Sequence, residues 1–439
     1  MFERIRIAHA CHRYLRAQHA LRRFSGVALL ARGRQVLFER GYGLADAAHQ
    51  VPNRPATRFR IGSQTKLFTA VAILTLADAG RLRVDDPIAR FLPGYPRGEQ
   101  ITVHHLLSNT SGLPDYILAE DFVACQARPH SLPELIARFR DRPLLFEPGA
   151  SFSYSNSGWI LLGAIIEQIS GLPYRDYLRQ HVLVPAGLSQ SGMASDDEVV
   201  PQHAAGYASL DPLQRAAHIA NANQHAAGGM HATAGDLHRF WLALMDGRLI
   251  SGESRALLTA AHAHHDLGGY GYGLLVGERH GRPYLEASGG TFGFVSVSAH
   301  YPAEALTVVV LANVEGAPFQ AIADDLAAIG LGQPYDLPSA RQFVAADPAR
   351  FDDFTGRYEL SFAGRRSVLE VRRAGAGLEA AVTGLRPAPM RALSDTRFLA
   401  SMKGEVELEF VGPAGRPVEV IQLDWAGHPL TARRIVSAG

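Results

Sequence analysis

The chain has 439 residues, with 43 Lys plus Arg against 42 Asp plus Glu, 47% hydrophobic residues and 19% charged ones. That apolar content supports full cores in about two domains, and a formal charge of +1 without a long basic run gives no electrostatic basis for binding nucleic acid or an anionic membrane surface. Cys11 and Cys125 are too few for a disulfide framework or a cysteine-rich metal site and leave room for one cross-link at most.

Residues 3–22 read as an amphipathic helix with a basic, solvated face. Val27–Ala31 and Gln35–Glu39 are strand-like runs, and Gly33 between them supplies the turn position that needs a positive φ, so a hairpin is expected. From Thr65 to Ala79 the apolar residues Leu67, Ala70, Val71, Leu74 and Ala77 recur at helical spacing, with Gly80 as the stop and Ser63 at the start. A middle region, roughly 100–265, carries helical patterns broken by Pro and Gly, among them Gly158–Ser170. Strands are then expected at Tyr272–Val276, Phe294–Ala299 and Leu306–Ala312, the last too apolar to face water on either side.

Composition shifts at 333–350 to a Pro-, Ala- and Asp-rich linker. Beyond it, Gly356–Leu360, Ser367–Arg372, Gly377–Val382, Arg397–Ala400, Val406–Val411 and Val418–Asp424 alternate at the spacing of a small barrel or sandwich. The expected fold class is therefore α+β: an antiparallel sheet flanked by helices, with an all-helical insertion, over residues 1–340, followed by a small all-β barrel over 341–439. No run approaches the roughly 20 apolar residues of a membrane span. The charged N-terminus also lacks the apolar core of about 7–15 residues that a signal peptide needs. The expected location is the cytoplasm.

Among 43 basic residues only two are lysines, Lys66 and Lys403. Lys66 lies three residues after Ser63, one helical turn away, where its amine meets the serine hydroxyl. A lysine buried beside a serine can lose its proton and act as a base. Arginine cannot, because its pKa exceeds about 12. Lys403 has no such serine and reads as a surface residue.

Two further segments carry polar chemistry. Tyr154-Ser155-Asn156 precedes a helix; a tyrosine hydroxyl can relay a proton to a leaving group, and the Asn156 amide offers donor and acceptor to a substrate. Ala287-Ser288-Gly289-Gly290-Thr291 precedes a strand, where glycines let a substrate backbone approach, and a Gly290 N–H can pair with that of Ser63 as an oxyanion hole.

Together, Ser63-x-x-Lys66, Tyr154-x-Asn156 and the Ser288-Gly289-Gly290 segment resemble the serine β-lactamase and penicillin-binding-protein superfamily. The nearest likeness is its class C-like branch of D-aminopeptidases, esterases and peptide cyclases. Leu106–Pro114, Gly149–Asn156, Ala227–Met230 and Thr233–Leu237 carry the same resemblance, which spans about 20–330, and residues 351–439 resemble the lipocalin-like domain that often follows. The likeness implies Ser63 as nucleophile, Lys66 as base, Tyr154 as proton relay, and Asn156, Ser288, Gly289 and Gly290 as substrate-binding residues. No cofactor is implied. The implied partner is a small-molecule or peptide acyl donor, free or carrier-bound, resolved by water as in an esterase or D-stereospecific peptidase, or by an amine as in a thioesterase-cyclase or acyltransferase.

One departure matters. Relatives carry Lys, His or Trp where this chain has Ala287, which argues against true β-lactamase activity and leaves Arg282 and His280 as nearby cations to consider. A second class of reading is a non-catalytic binding module that kept the fold. The lone lysine beside Ser63, Tyr154 and Asn156 favours catalysis. His262-Ala263-His264-His265-Asp266 is the only dense histidine run, but its register does not fit a metallohydrolase, and a polar loop is expected. His104-His105 and the scattered His203, His218, His225 and His231 read as structural or surface groups, and no Gly-x-Ser-x-Gly elbow or phosphate-binding loop occurs.

Overall fold

The computed structural model describes residues 2–266, 268–362, 365–383, 387–402, 405–425 and 428–435. In chain order its first body carries α1 (Phe2–Ala20), β1 (Gly26–Arg32), β2 (Gln35–Tyr42), β3 (Phe59–Arg60), α2 (Thr65–Asp78), α3 (Asn156–Ser170), β4 (Met230–Ala232) and α4 (Ala234–Met245). It continues with β5 (Ala263–His265), β6 (Gly268–Tyr270), β7 (Leu275–Arg279), β8 (Arg282–Thr291), β9 (Phe294–Tyr301), β10 (Leu306–Ala312) and α5 (Phe319–Leu331). Eight strands form one antiparallel sheet in the order β5-β6-β7-β8-β9-β10-β1-β2, so both ends of the body complete it.

The alternation of apolar residues decides which face meets which helix. On β1 and β10, Val27, Leu29, Val309 and Leu311 join the core beneath α2 and α4, while Ala28, Leu30, Val308 and Val310 join a second core beneath α1 and α5. Every residue of β10 is buried, as its continuous apolar run requires. The β1–β2 turn has Gly33 at φ 53°, and α2 stops where Gly80 turns to φ 67°. The inner face of α1 buries Ile7, Cys11, Tyr14 and Leu15. Both cysteines are free thiols.

Several elements differ from expectation. The 272–276 segment turns at Gly273 (φ 78°), where a Cβ would stand 2.9 Å from the Lys66 carbonyl carbon, and the strand starts only at Leu275. The Ser-Gly-Gly segment lies inside β8 rather than before a strand. The helical region between β3 and β4 also holds short strands: β4 lies between β3 and Gly192–Met193, and Tyr207–Leu210 pairs with Leu213–Arg215. The histidine run is an edge strand, β5, instead of a loop.

The second body is a closed antiparallel barrel of β11 (Gly356–Phe362), β12 (Arg365–Ala374), β13 (Gly377–Val382), β14 (Ala388–Ala392), β15 (Arg397–Ser401), β16 (Glu405–Val411), β17 (Val420–Trp425) and β18 (His428–Arg434). β14 and β18 were not anticipated. β18 closes the barrel on β11, with Arg434 opposite Tyr358 and its guanidinium donating to the Tyr358 hydroxyl at 2.7 Å. Tyr358, Leu369, Leu408 and Ile421 fill a core separate from those of the first body. Arg341 bridges to Glu405 and Glu407 at 3.0 and 2.7 Å, and Arg23 reaches Glu405 at 3.5 Å. Lys403 lies outside the described residues. Among those described, no helix is long and apolar enough to cross a membrane.

Candidate active site

Ser63 sits on a one-turn 3-10 segment, Gly62–Gln64, that runs straight into α2. Gly62 holds φ 53°, a left-handed conformation that favours glycine. A side chain there would also collide, because a Cβ would lie 2.9 Å from the backbone nitrogen of Gly290. Reciprocally, a Cβ on Gly289 would stand 2.1 Å from the Ile61 carbonyl oxygen and 2.6 Å from the Ser63 nitrogen. The serine turn and strand β8 therefore touch backbone to backbone. Gln64, buried beneath the turn, locks the contact by donating to Ser296 at 2.7 Å and accepting from Ser298 at 2.7 Å on β9.

The direction of the Gly290 N–H follows from register. Phe292-Gly293 is a two-residue turn with Thr291 opposite Phe294, so Gly290 and Val295 form the next, non-hydrogen-bonded pair. The Gly290 N–H thus points away from β9. On that outer side β7 pairs with β8 only from Arg282 to Glu286, so among the described residues no strand covers Ala287–Thr291. Strand alternation puts Ala287 and Gly289 on the α2 face and Ser288 on the face of Glu286. Ser288 therefore borders the cleft through its backbone.

Lys66 is 1% exposed. Its Nζ lies 3.0 Å from Ser63 Oγ, 2.7 Å from Asn156 Oδ1 and 2.7 Å from the Ala227 carbonyl oxygen, and 4.9 Å from the centre of the Tyr154 ring. Two of these three oxygens can only accept; the serine hydroxyl alone can also donate. These contacts suit a neutral amine, with two N–H groups on Asn156 and Ala227 and its lone pair toward the Ser63 proton. That is the arrangement of a general base.

Tyr154 enters from the segment before α3, and its neighbours are pinned by Asn109, a left-handed residue at φ 56°. The Asn109 carbonyl accepts from the Ser153 N–H at 3.0 Å, and its side-chain oxygen from Trp159 Nε1 at 3.1 Å and the Ser155 N–H at 3.4 Å. Through these bonds the Leu106–Pro114 segment holds the approach to Tyr154 in place. Tyr270 meets Tyr154 edge to face at 6.5 Å, and burial pushes its hydroxyl well above the ordinary phenol range.

Asn156 is already engaged at both ends, with Oδ1 on Lys66 and Nδ2 on Asp115 at 2.9 Å. By count, one N–H of Nδ2 remains for a substrate. Arg282 and His280 do not replace the missing cation, because they sit at the far β7–β8 turn on Glu304 (2.7 Å) and the Asp324 carbonyl (3.1 Å). Among the described residues no group of three or more His, Cys, Asp or Glu could hold a metal ion. The histidine run packs instead, His262 stacking on Tyr272 at 4.2 Å and His265 on Phe152 at 4.6 Å. His104 bonds Tyr272 at 2.7 Å, and His105 closes a helix capping box.

A cavity of about 430 Å³ lies between the 194–221 segment and the turn after Gly290, lined by Arg60, Asp196, His203, Asn221, His231 and Phe292. Burial and the nearby Arg60 hold His203 down to about 4; burial and His203 hold His231 down to about 3.

The arrangement has the parts of a serine acyl-transfer enzyme, and a beta-lactamase family model matches residues 12–332. The chain belongs to that family. It is 33% identical over 232 residues to the putative penicillin-binding protein PbpX of Bacillus subtilis, covering 53% of this chain and 57% of that one. To penicillin-binding protein 4* of the same organism it is 28% identical over 412 residues, covering 88% and 90%. The crystal structure of a D-stereospecific amidohydrolase from Streptomyces sp. superposes with a TM-score of 0.60 at 26% identity, covering 70% of this chain and 94% of that one. The chain spans just over half of PbpX and nearly all of penicillin-binding protein 4*.

Two functional groups escaped the sequence reading. The Ala227 carbonyl has no side-chain signature, although its Ala-Gly-Gly context stood out. Asp115 follows Pro114 with nothing in the sequence to tie it to a residue 41 positions on.

Proposed function

We propose that this member of the family hydrolyses an amide or ester of a D-configured acyl donor, one recognised without a cation at position 287. The observation that carries the reading is the contact of the buried Lys66 amine with Ser63 Oγ at 3.0 Å, beside two oxygens, Asn156 Oδ1 and the Ala227 carbonyl, that can only accept. Ser63 Oγ bonds to the substrate carbonyl carbon and its proton passes to Lys66. The Ser63 and Gly290 N–H groups hold the oxyanion. As the carbonyl reforms, the bond to the leaving nitrogen or oxygen breaks and Tyr154 delivers that group a proton. Water then releases the acyl group by the reverse sequence.

Ala287 separates this chemistry from substrates that need a lysine for their carboxylate. The D-stereospecific amidohydrolase from Streptomyces sp. supports the stereochemical part by likeness. The test is intact mass after an alkyl fluorophosphonate, followed by turnover of matched D- and L-residue amides, esters and peptidyl thioesters, scoring hydrolysis and cyclisation separately. Mono-adduct on Ser63 and preferred hydrolysis of D-residue amides or esters are expected. An unlabelled Ser63 would favour the binding-module reading, and cyclised product from the thioesters would move the assignment to amine transfer.

A further inference from the structure

Asn156 can serve Lys66 only in one of its two amide orientations. With Oδ1 toward Nζ it accepts a proton; flipped, it presents Nδ2–H and competes with Ser63 for the amine lone pair. Something must choose between these, and the partner at the other end of the amide does so. Asp115, 6% exposed, places Oδ2 2.9 Å from Asn156 Nδ2. A carboxylate only accepts, so it admits the NH₂ end alone.

Asp115 is itself held in place. Its Oδ1 accepts from the Ile117 N–H at 3.3 Å. Its neighbours clasp the start of α3 a second time, the Ser157 hydroxyl donating to the Pro114 carbonyl at 2.6 Å and accepting from the Tyr116 N–H at 3.0 Å. A carboxylate beside the N-terminus of the 15-residue α3 is also favoured by the helix dipole.

We infer that Asp115 is a positioning residue for acylation, acting through the Asn156 amide to keep the Lys66 lone pair directed at Ser63. This rests on the reading of Ser63 as nucleophile. The groups line up as Asp115, Asn156 Nδ2 and Oδ1, Lys66 Nζ and Ser63 Oγ, with separations of 2.9, 2.7 and 3.0 Å between successive residues.

The test measures the limiting rate and half-saturation of Ser63 phosphonylation by an alkyl fluorophosphonate in the full chain, which requires no knowledge of the natural substrate. Asp115→Leu should lower the limiting rate about 100-fold, the scale of a misplaced reacting group, with half-saturation little changed. Asp115→Asn, which can still offer an oxygen to Nδ2, should recover to within about tenfold of wild type. In an Asn156→Leu background, neither substitution at 115 should cost more, because the amide that transmits the effect is gone. Additive losses in the double variants, or wild-type labelling by Asp115→Leu, would overturn the inference. Should Asp115→Leu fail to fold, the Asp115→Asn and Asn156→Leu pair completes the cycle alone, and additive loss there overturns it equally. A wild-type chain that takes no label sinks the nucleophile reading instead.

Discussion

At the scale of single residues, the chemistry depends on Lys66, one of only two lysines among the 43 basic residues. Lys66 is buried, yet Ser63 Oγ, Asn156 Oδ1 and the Ala227 carbonyl oxygen around its amine are neutral, and an arginine placed there would keep its charge and have no lone pair for the serine. Lys66→Arg is expected to lower Ser63 acylation by about 10²–10⁴-fold, the usual worth of a general base, while circular dichroism and the melting temperature show a folded chain. Lys403→Arg serves as the matched control and should acylate normally. Near-wild-type labelling of Lys66→Arg would remove the base from Lys66. This residue was readable from sequence because its type was anomalous and its partner lay one turn away. Asp115 and the Ala227 carbonyl were not, since their importance arises from contacts made only when α3 and the short helix His225–Gly228 before β4 fold against α2.

At the scale of elements, the site is the seam between the serine turn and strand β8. Helix α2, the β1–β2 hairpin and strand β9 were legible, because each has a clear apolar period and a glycine at its stop or turn, and β10 because its apolar run is continuous. Strand β8 was not: Ser288-Gly289-Gly290 has the composition of a turn, and it is a strand because glycine is what the approach of Ile61 and Ser63 permits. Helix α5 and the closing strand β18 were likewise missed; β18 pairs with its neighbour β17 and closes on β11, whose paired residues lie more than 70 positions away in sequence. The other end of β8 is anchored by Glu286, fully buried, which accepts from Gln320 of α5 at 2.7 Å and pairs with Arg279 of β7 at 3.2 Å. With that end fixed, a methyl group at 289 has nowhere to go but into the serine turn. Gly289→Ala should therefore part the Ser63 and Gly290 N–H groups and cost about 10²–10³-fold in acylation, the worth of one oxyanion donor. Overpacking of this kind should also cost about 1–3 kcal/mol of stability by chemical denaturation. Unchanged acylation by a folded Gly289→Ala would show that the oxyanion is held elsewhere.

At the scale of the whole molecule, the barrel core does not merge with the two cores of the catalytic body. The catalytic body and the barrel each close their own hydrophobic interior, and residues 333–347 between them form no helix or strand. Bodies joined by a linker and a few ion pairs should unfold in two calorimetric transitions rather than one. Acid should separate them further, because His203 and His231 both belong to the catalytic body. Each ring is kept neutral in the fold, with its proton affinity held down to about 4 and about 3, whereas an unfolded histidine takes up a proton near pH 6.5. Unfolding therefore binds protons as the pH falls below about 6.5. The stability these rings contribute is present above that pH and is lost progressively down to about pH 4 for His203 and about pH 3 for His231, at a slope of up to about 1.4 kcal/mol per pH unit for each ring. The transition of the catalytic body should thus move to lower temperature between pH 7 and pH 4.5, and a His203→Gln, His231→Asn double variant should reduce that movement without abolishing it, because burial also holds His300 of the same body down to about 4. An acid shift of equal size in the double variant would mean that other groups set the acid limit of the catalytic body and that the two rings are not held neutral beneath the cavity beside Gly290.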